Sequence, residues 1–248
     1  RRALARLQPD GPTAEGDADL HGGPRPGAPA GLRLLQTPFV GRTLERQAID
    51  SALAAGKRVL LDGSPGVGKT RLALEVLAAR GGVLLLRCRQ EDTAVPYASA
   101  LRGLQTLREA APDVQLPAWV RRDLSLLVPE WAGRSTPDAD PPRLQRAYAA
   151  ALHALADGNF EALVIDDWQW ADASSQTLWQ PDPPAHAGTL PCVVVHRSGE
   201  LPLPALQRRR SWLDQGQAVA VHVAPLPPNE ARALLHGVGD LSEADQDR

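Results

Sequence analysis

The stretch Gly63-Ser64-Pro65-Gly66-Val67-Gly68-Lys69-Thr70 constrains this chain more than any other. It fits G-x-x-x-x-G-K-[ST], a pattern whose chemistry is phosphate binding. Its flanks fit as well. Before it, Arg58-Val59-Leu60-Leu61 reads as a short buried strand. After it, Arg71 to Arg80 places Leu72, Ala73, Val76 and Leu77 on one helical face, and Gly81-Gly82 stops the run. Gly63, Gly66 and Gly68 let the backbone curl until its N–H groups converge on one anion. The helix that follows adds the positive end of its dipole. Lys69 is placed to reach the β- and γ-phosphates of a nucleotide, and the Thr70 hydroxyl to bind Mg²⁺. Of the 27 Lys and Arg residues, only Lys57 and Lys69 are lysine. A sequence that uses arginine almost everywhere keeps lysine where a slim point charge is needed.

A chain of 248 residues holds one large α/β domain, or one domain plus extras. Its 43% apolar content is enough for a core, and a net charge of −2 sets up no field favouring nucleic acid or membrane. Cys88 and Cys192 lie in apolar, strand-like runs and read as buried free thiols in a reducing compartment. No apolar run nears the roughly 18 residues of a membrane span, and no signal peptide is visible. A cytoplasmic location without a membrane partner is therefore expected. The sequence has no methionine, even at position 1, and is expected to be a fragment of a longer protein.

Residues 1–36 read as a disordered linker. From Gln8 to Ala30 the chain is rich in Gly, Pro, Ala and Asp without an apolar period. Order is expected to begin at Thr37-Pro38-Phe39. Thr43 is the expected N-cap of a helix with Glu45 in its first turn. Leu44, Ala48, Ile49, Ala52 and Leu53 would form its apolar stripe, and Gly56 its end. Val83 to Cys88 is a second strand. Residues 93–156 read as mostly helical. Leu101, Leu104 and Leu107 mark one helix, and Pro117, Val120, Leu124 and Leu127 a second. A proline-rich surface loop is expected at 132–142. Leu144, Tyr148, Leu152 and Leu155 mark a third helix, ended by Gly158-Asn159.

Ala162-Leu163-Val164-Ile165 then runs straight into Asp166-Asp167, about 100 residues after the glycine loop. An apolar strand that delivers a carboxylate at its C-terminal end is the Walker B pattern. One acid, Asp166, holds Mg²⁺; the next, Asp167, can orient an attacking water. Further strands are expected at Leu190 to Val195, ending in His196-Arg197-Ser198, and at Ala218 to Val223. Strands alternating with helices imply a parallel sheet covered on both faces, with ligands at the C-terminal strand ends. The glycine loop, Asp166 and Arg197 all fall at that end. Trp168 and Trp170 read as packing groups, and Arg208-Arg209-Arg210 as a solvated helix face. His196 and His222 are assigned no metal, and no His/Cys spacing suggests zinc.

With these motifs placed, the chain resembles the nucleotide-binding domain of STAND-type ATPases within the AAA-like P-loop group. More narrowly, it is similar to the ATPase module of large bacterial transcription regulators of the LuxR/MalT and SARP types. The carriers are Phe39-Val40-Gly41-Arg42, the loop at 63–70, LVIDDWQWAD at 163–172, VVVHRSGE at 193–200, and Pro225-Leu226 with Asn229 to Leu235. The resemblance implies a five-stranded parallel sheet of order 5-1-4-3-2. It divides the chain into a linker (1–36), a P-loop domain (37–226) and the start of a helical lid (227–248). It implies that Val40, Gly41 and Arg42 line the adenine side. Gly63, Ser64, Pro65, Gly66, Val67, Gly68, Lys69, Thr70 and Arg71 would hold the phosphates. Thr70 and Asp166 would hold Mg²⁺, with Lys69, Asp167 and a sensor arginine, Arg197, acting on the reaction. ATP over GTP follows from the family and from the lack of an N-K-x-D-like guanine motif.

The expected activity is a slowly hydrolysing ATP/ADP switch. Its output would be transcription control through a DNA-binding domain outside this chain; self-association stays open. One departure bears on the rate. Where the family has a long helix after Trp170-Ala171-Asp172, the run Trp179-Gln180-Pro181-Asp182-Pro183-Pro184 breaks it early. That break favours a rival, a scaffold that binds nucleotide without turnover. A second rival is a ring-forming motor or loader ATPase, which would need an arginine finger from Arg121, Arg122 or the 208–210 run. A small-molecule kinase suits the WAD segment and the late lid less well.

Overall fold

A computed structural model describes residues 39–131, 140–157, 160–179 and 190–234. Five short strands form its sheet: β1 (Arg58–Asp62), β2 (Val83–Arg87), β3 (Ala162–Asp166), β4 (Cys192–Val195) and β5 (Ala218–His222). All neighbours pair in parallel, in the order β2-β3-β4-β1-β5. This is the expected order read from the opposite edge. The strands are aliphatic runs rather than alternating ones because both faces are covered. In β1, Val59, Leu60 and Leu61 are all fully buried. The register sets Val59 beside Val193 and Leu61 beside Val195.

Among the described residues these helices flank the sheet: α1 (Thr43–Ala54), α2 (Lys69–Ala78), α3 (Ala98–Ala110), α4 (Ala118–Leu124), α5 (Pro141–Ala156), α6 (Ala173–Leu178) and α7 (Leu203–Asp214). On one face, Ile49 and Leu53 of α1 and Leu72, Val76 and Leu77 of α2 join Val59, Leu61, Val164, Val193 and Val195. On the other, Ala205 and Trp212 of α7 pack with Leu60, Ile165 and Val194. Helices α3 to α5 cover the β2 edge through Leu84 and Leu86. Each such buried aliphatic contributes about 1.5–3 kcal/mol relative to exposure. Two polar ties add direction. The buried Tyr148 hydroxyl donates to Ala100 O at 3.1 Å and accepts from Trp179 Nε1 at 3.1 Å, joining α5, α3 and the end of α6. Asp123 of α4 accepts from Arg143 Nε of α5 at 2.8 Å.

Several expectations need correction. The N-cap of α1 is Arg42, in the left-handed region at φ 63°, and Thr43 is already helical. The Arg42 side chain is drawn to Ala224 O and Val67 O, so long-range bonds set where the helix enters. Leu44 is 79% exposed and lies outside the apolar stripe. Helix α2 starts at Lys69, not Arg71, so the last two motif residues are its first turn. Pro141 and Pro142 open α5 instead of closing the loop before it. A missing N–H costs nothing in a first turn. Pro117 is the N-cap of α4, and Leu127 lies beyond that helix. Arg208 and Arg209 are half-buried, with only Arg210 exposed, so the triplet is not a solvated face. Cys88 is buried and Cys192 half-buried, both free thiols. The expected linker, the core of the proline-rich loop, Gly158-Asn159, the prolines after Trp179 and most of the expected lid lie outside the described residues. Residues 228–234 are helical. Among the described residues no helix is long and apolar enough to cross a membrane.

Candidate functional site

Asp62 closes β1 and the chain turns into the glycine loop. A Cβ at Gly63 would stand 2.5 Å from the Val223 carbonyl oxygen, a backbone atom that cannot move aside. Gly68, at φ 91°, is the left-handed N-cap of α2. The backbone N–H groups of Lys69 and Thr70 therefore belong to the helix start, where they have no carbonyl partner within the helix. Ser64, Pro65, Gly66 and Gly68 are exposed and Val67 is half-buried.

The Lys69 ammonium lies back across the loop, donating to Gly63 O at 3.0 Å and Ser64 O at 2.8 Å. Burial pushes its pKa down and Arg197 adds to that, while Asp167, Asp166 and Asp62 pull it up. Thr70 Oγ1 donates to Asp166 Oδ1 at 2.8 Å. Asp166 is 3% exposed. Its burial raises its pKa, opposed by the Thr70 bond, reinforced by Asp167, and opposed again by Arg87 and the Asp167 N–H. Arg87 Nε stands 3.4 Å from Asp166 Oδ2.

Asp167 follows in the left-handed region at φ 54°, a conformation Asp tolerates better than most residues. Its Oδ1 accepts from Gln169 Nε2 at 2.8 Å, and Arg197 Nε lies 3.9 Å from the same oxygen. The Arg197 guanidinium covers the Trp170 ring at 5.7 Å and stands 3.5 Å from Glu200. The end of β4 is tied to the loop directly. His196 N donates to Leu61 O at 3.0 Å and Ser198 N to Gly63 O at 3.2 Å. Three strand ends thus gather Lys69, Thr70, Asp166, Asp167 and Arg197 into one charged constellation.

The other predicted contacts lie around the loop's flank. Arg42 is only 7% exposed and its guanidinium donates to Ala224 O at 2.6 Å, Val67 O at 3.1 Å and Glu45 at 3.0 Å. It therefore clamps the segment after β5 to the glycine loop. Gly41, at φ 70°, lies under the Glu230 carboxylate, in space that a Cβ would fill. Val40 is half-buried beside it in sequence. The Arg71 guanidinium lies 5.8 Å from the centre of the Phe39 ring, so it faces this flank; Arg46 covers the same ring at 5.6 Å. Trp168 is buried and stacked on Trp212 at 5.5 Å, a packing group as expected. A cavity of about 490 Å³ opens beside α3 and α4, between Arg108, Arg121 and Trp131; of the candidate functional residues only Arg121, the arginine-finger candidate of the motor reading, lines it, and none of the predicted nucleotide-site residues does.

Three residues to which motif reading gave no role of their own belong to this neighbourhood. Gln169 is 2% exposed and links Asp167 to the Arg197 backbone. Asp172 is 3% exposed and accepts from Ser175 N, Tyr97 N and Ser99 N. An Asp just before a helix is a readable N-cap signal. Asp62 gathers His222, Arg209 and Ser198 beside the loop.

For a metal, Thr70 and Asp166 offer two hard oxygen donors side by side. Among the described residues no three His, Cys, Asp or Glu side chains gather as a cage. Mg²⁺ commonly takes one or two protein oxygens and completes its shell with water and phosphate, so this donor pair fits it.

A parallel sheet of order β2-β3-β4-β1-β5, with a glycine loop leading from β1 into α2, defines a P-loop domain of AAA type. The sequence agrees at family level: the AAA ATPase domain family matches residues 38–181, and the chain belongs to that family. No curated protein matches the sequence. Among solved structures, the ORC2 protein of Aeropyrum pernix, described in ADPNP-ADP complexes, aligns with a TM-score of 0.44 at 16% identity. The alignment covers 83% of this chain and 53% of that one, so the chain spans about half of that protein's length.

Proposed function

We propose that this chain is an ATP-binding switch that hydrolyses ATP slowly, within a signal-responsive transcription regulator of the STAND type. The observation that carries the nucleotide part is the Thr70–Asp166 bond of 2.8 Å. It sets the loop hydroxyl and the strand-end acid where one cation could bridge both to a nucleotide. Bound there, Mg²⁺ would neutralise charge on the β- and γ-phosphate oxygens. The loop N–H groups and Lys69 bind the phosphates, with Lys69 exchanging its carbonyl partners for phosphate oxygens. Asp167 accepts a hydrogen bond from the attacking water and so aims it, and Arg197 faces the γ-phosphate. Val40, Gly41 and Arg42 flank the base, and residues from 227 onward serve as a lid over a domain spanning 37–226. ATP and ADP states then differ through γ-phosphate contacts, which is the free energy available to a switch.

The regulator context rests on the resemblance carried by 39–42, 163–172, 193–200 and 225–235, with DNA contacted by a domain outside this chain. The test is phosphate release under single-turnover conditions. The parent should release phosphate within minutes to hours. Asp167→Asn should still bind Mg-ATP but release at least about 100-fold more slowly. Equal release by both overturns the assignment of Asp167. One observation favours the scaffold reading: α6 has only 6 residues. Binding of ATP and ADP with no release by the parent would establish that reading instead.

A further inference from the structure

We propose that Gln169 is a positioning residue that couples the acid Asp167 to the arginine Arg197. The proposal rests on the hydrolysis reading above. Gln169 lies in the turn after β3, and its amide is nearly inaccessible at 2% exposure. Its Oε1 accepts from the Arg197 backbone N–H at 3.2 Å, and its Nε2 donates to Asp167 Oδ1 at 2.8 Å. The amide orientation is fixed twice over. A backbone N–H can only donate, so the oxygen must face Arg197. A carboxylate can only accept, so the NH₂ must face Asp167. The planar amide of Gln carries both the donor and the acceptor that these two partners require.

The consequence is geometric. Asp167 sits at φ 54° on a turn, so its carboxylate needs an external partner to hold one orientation. Gln169 engages Oδ1, and Arg197 Nε approaches that same oxygen at 3.9 Å. Oδ2 is thereby directed to the attacking water. In the reaction, the water oxygen bonds to the γ-phosphorus as the bond to the β,γ-bridging oxygen breaks. ADP leaves, and the water proton passes to the phosphate product. Asp167 orients the water, and Gln169 sets Asp167 and the Arg197 backbone in one register. A misplacement of about 1 Å in such an arrangement costs on the order of 100-fold in rate.

The experiment compares the parent with Gln169→Leu, Gln169→Glu, Asp167→Asn and the double variant Gln169→Leu/Asp167→Asn. Mg-ATP affinity is read by heat of binding, and phosphate release by single turnover. Gln169→Glu keeps an acceptor for the Arg197 N–H but loses the donor to Asp167. Both single Gln169 variants should keep the parent Kd within about twofold and slow release by about 10–100-fold. Adding Gln169→Leu to Asp167→Asn should cost less than about twofold more, because the two residues act as a unit. Parent-like release in either Gln169 variant overturns the proposal. So does a loss of ATP binding that matches the loss of release, which would assign Gln169 to packing, and so do additive losses in the double variant. A parent that releases no phosphate ends the hydrolysis reading itself and this proposal with it.

Discussion

Lys69 and Asp166 are opposite charges held under opposite tensions. The Lys69 ammonium satisfies two loop carbonyls and stands among three carboxylates and Arg197. Lys69→Ala removes the charge-assisted bonds a phosphate would make, worth about 1.5–3 kcal/mol. Mg-ATP affinity should fall by about 10–150-fold in an isothermal titration. The Asp166 carboxyl is raised above the ordinary carboxylate range, chiefly by burial. Native protein therefore binds this proton more readily than unfolded chain does, and the charged form costs stability at neutral pH. That cost lifts as pH falls through the raised pKa. Asp166→Asn should melt at or above the parent temperature at pH 7, with the difference shrinking toward acid pH. A variant that melts well below the parent at pH 7 would show that the Thr70 and Arg87 contacts outweigh the desolvation.

The short helix α6 matters more than its length suggests, because its N-cap also starts another helix. Asp172 accepts from Ser175 N in its own helix and from Tyr97 N and Ser99 N at the start of α3. Asp172→Ala removes a cap and strands three N–H donors at a buried acid. The lost cap at Ser175 costs about 1 kcal/mol and the two further stranded donors, Tyr97 N and Ser99 N, about 1–3 kcal/mol each, so about 3–7 kcal/mol is expected in total. Thermal melting should show a drop of about 10 °C, whereas a drop under about 2 °C would show that water replaces the carboxylate. Elements were legible where local pattern decides them. The strands are aliphatic runs and the loop is a spaced set of glycines with Lys and Thr, so the elements and the loop chemistry could be read from residues alone, while the order of the strands came only with the family resemblance. Legibility ended where a side chain reaches far along the chain. The start of α1 depends on Arg42 bonding to Ala224, 182 residues away. Arg209 is drawn in by Asp62, and Gln169 is defined by a bond to Arg197 across 28 residues. No local period encodes such contacts, and no motif rule separates Gln169 from its tryptophan neighbours.

Over the whole molecule, the site is assembled from β1, β3 and β4, so anything that binds there should stiffen the sheet's C-terminal end as one body. A ligand that binds only the native state adds about 2.7 kcal/mol at 100 times its Kd. For a domain of this size that is a rise of about 5–10 °C in Tm. Mg-ATP and Mg-ADP should both give it, and ATP alone a smaller one. GTP should give less, because residues 40–42 set the base side in the proposed site. The central claim is that the loop centred on Lys69 binds Mg-nucleotide and that the adjacent acids turn it over slowly. Titration of Mg-ATP into the parent and into Lys69→Ala, following heat of binding and phosphate release in the same samples, tests this most directly. The account predicts saturable binding with slow release in the parent, and in Lys69→Ala binding weakened by about 10–150-fold with release lost. Equal binding by the two proteins, or no binding by a folded parent, would contradict it.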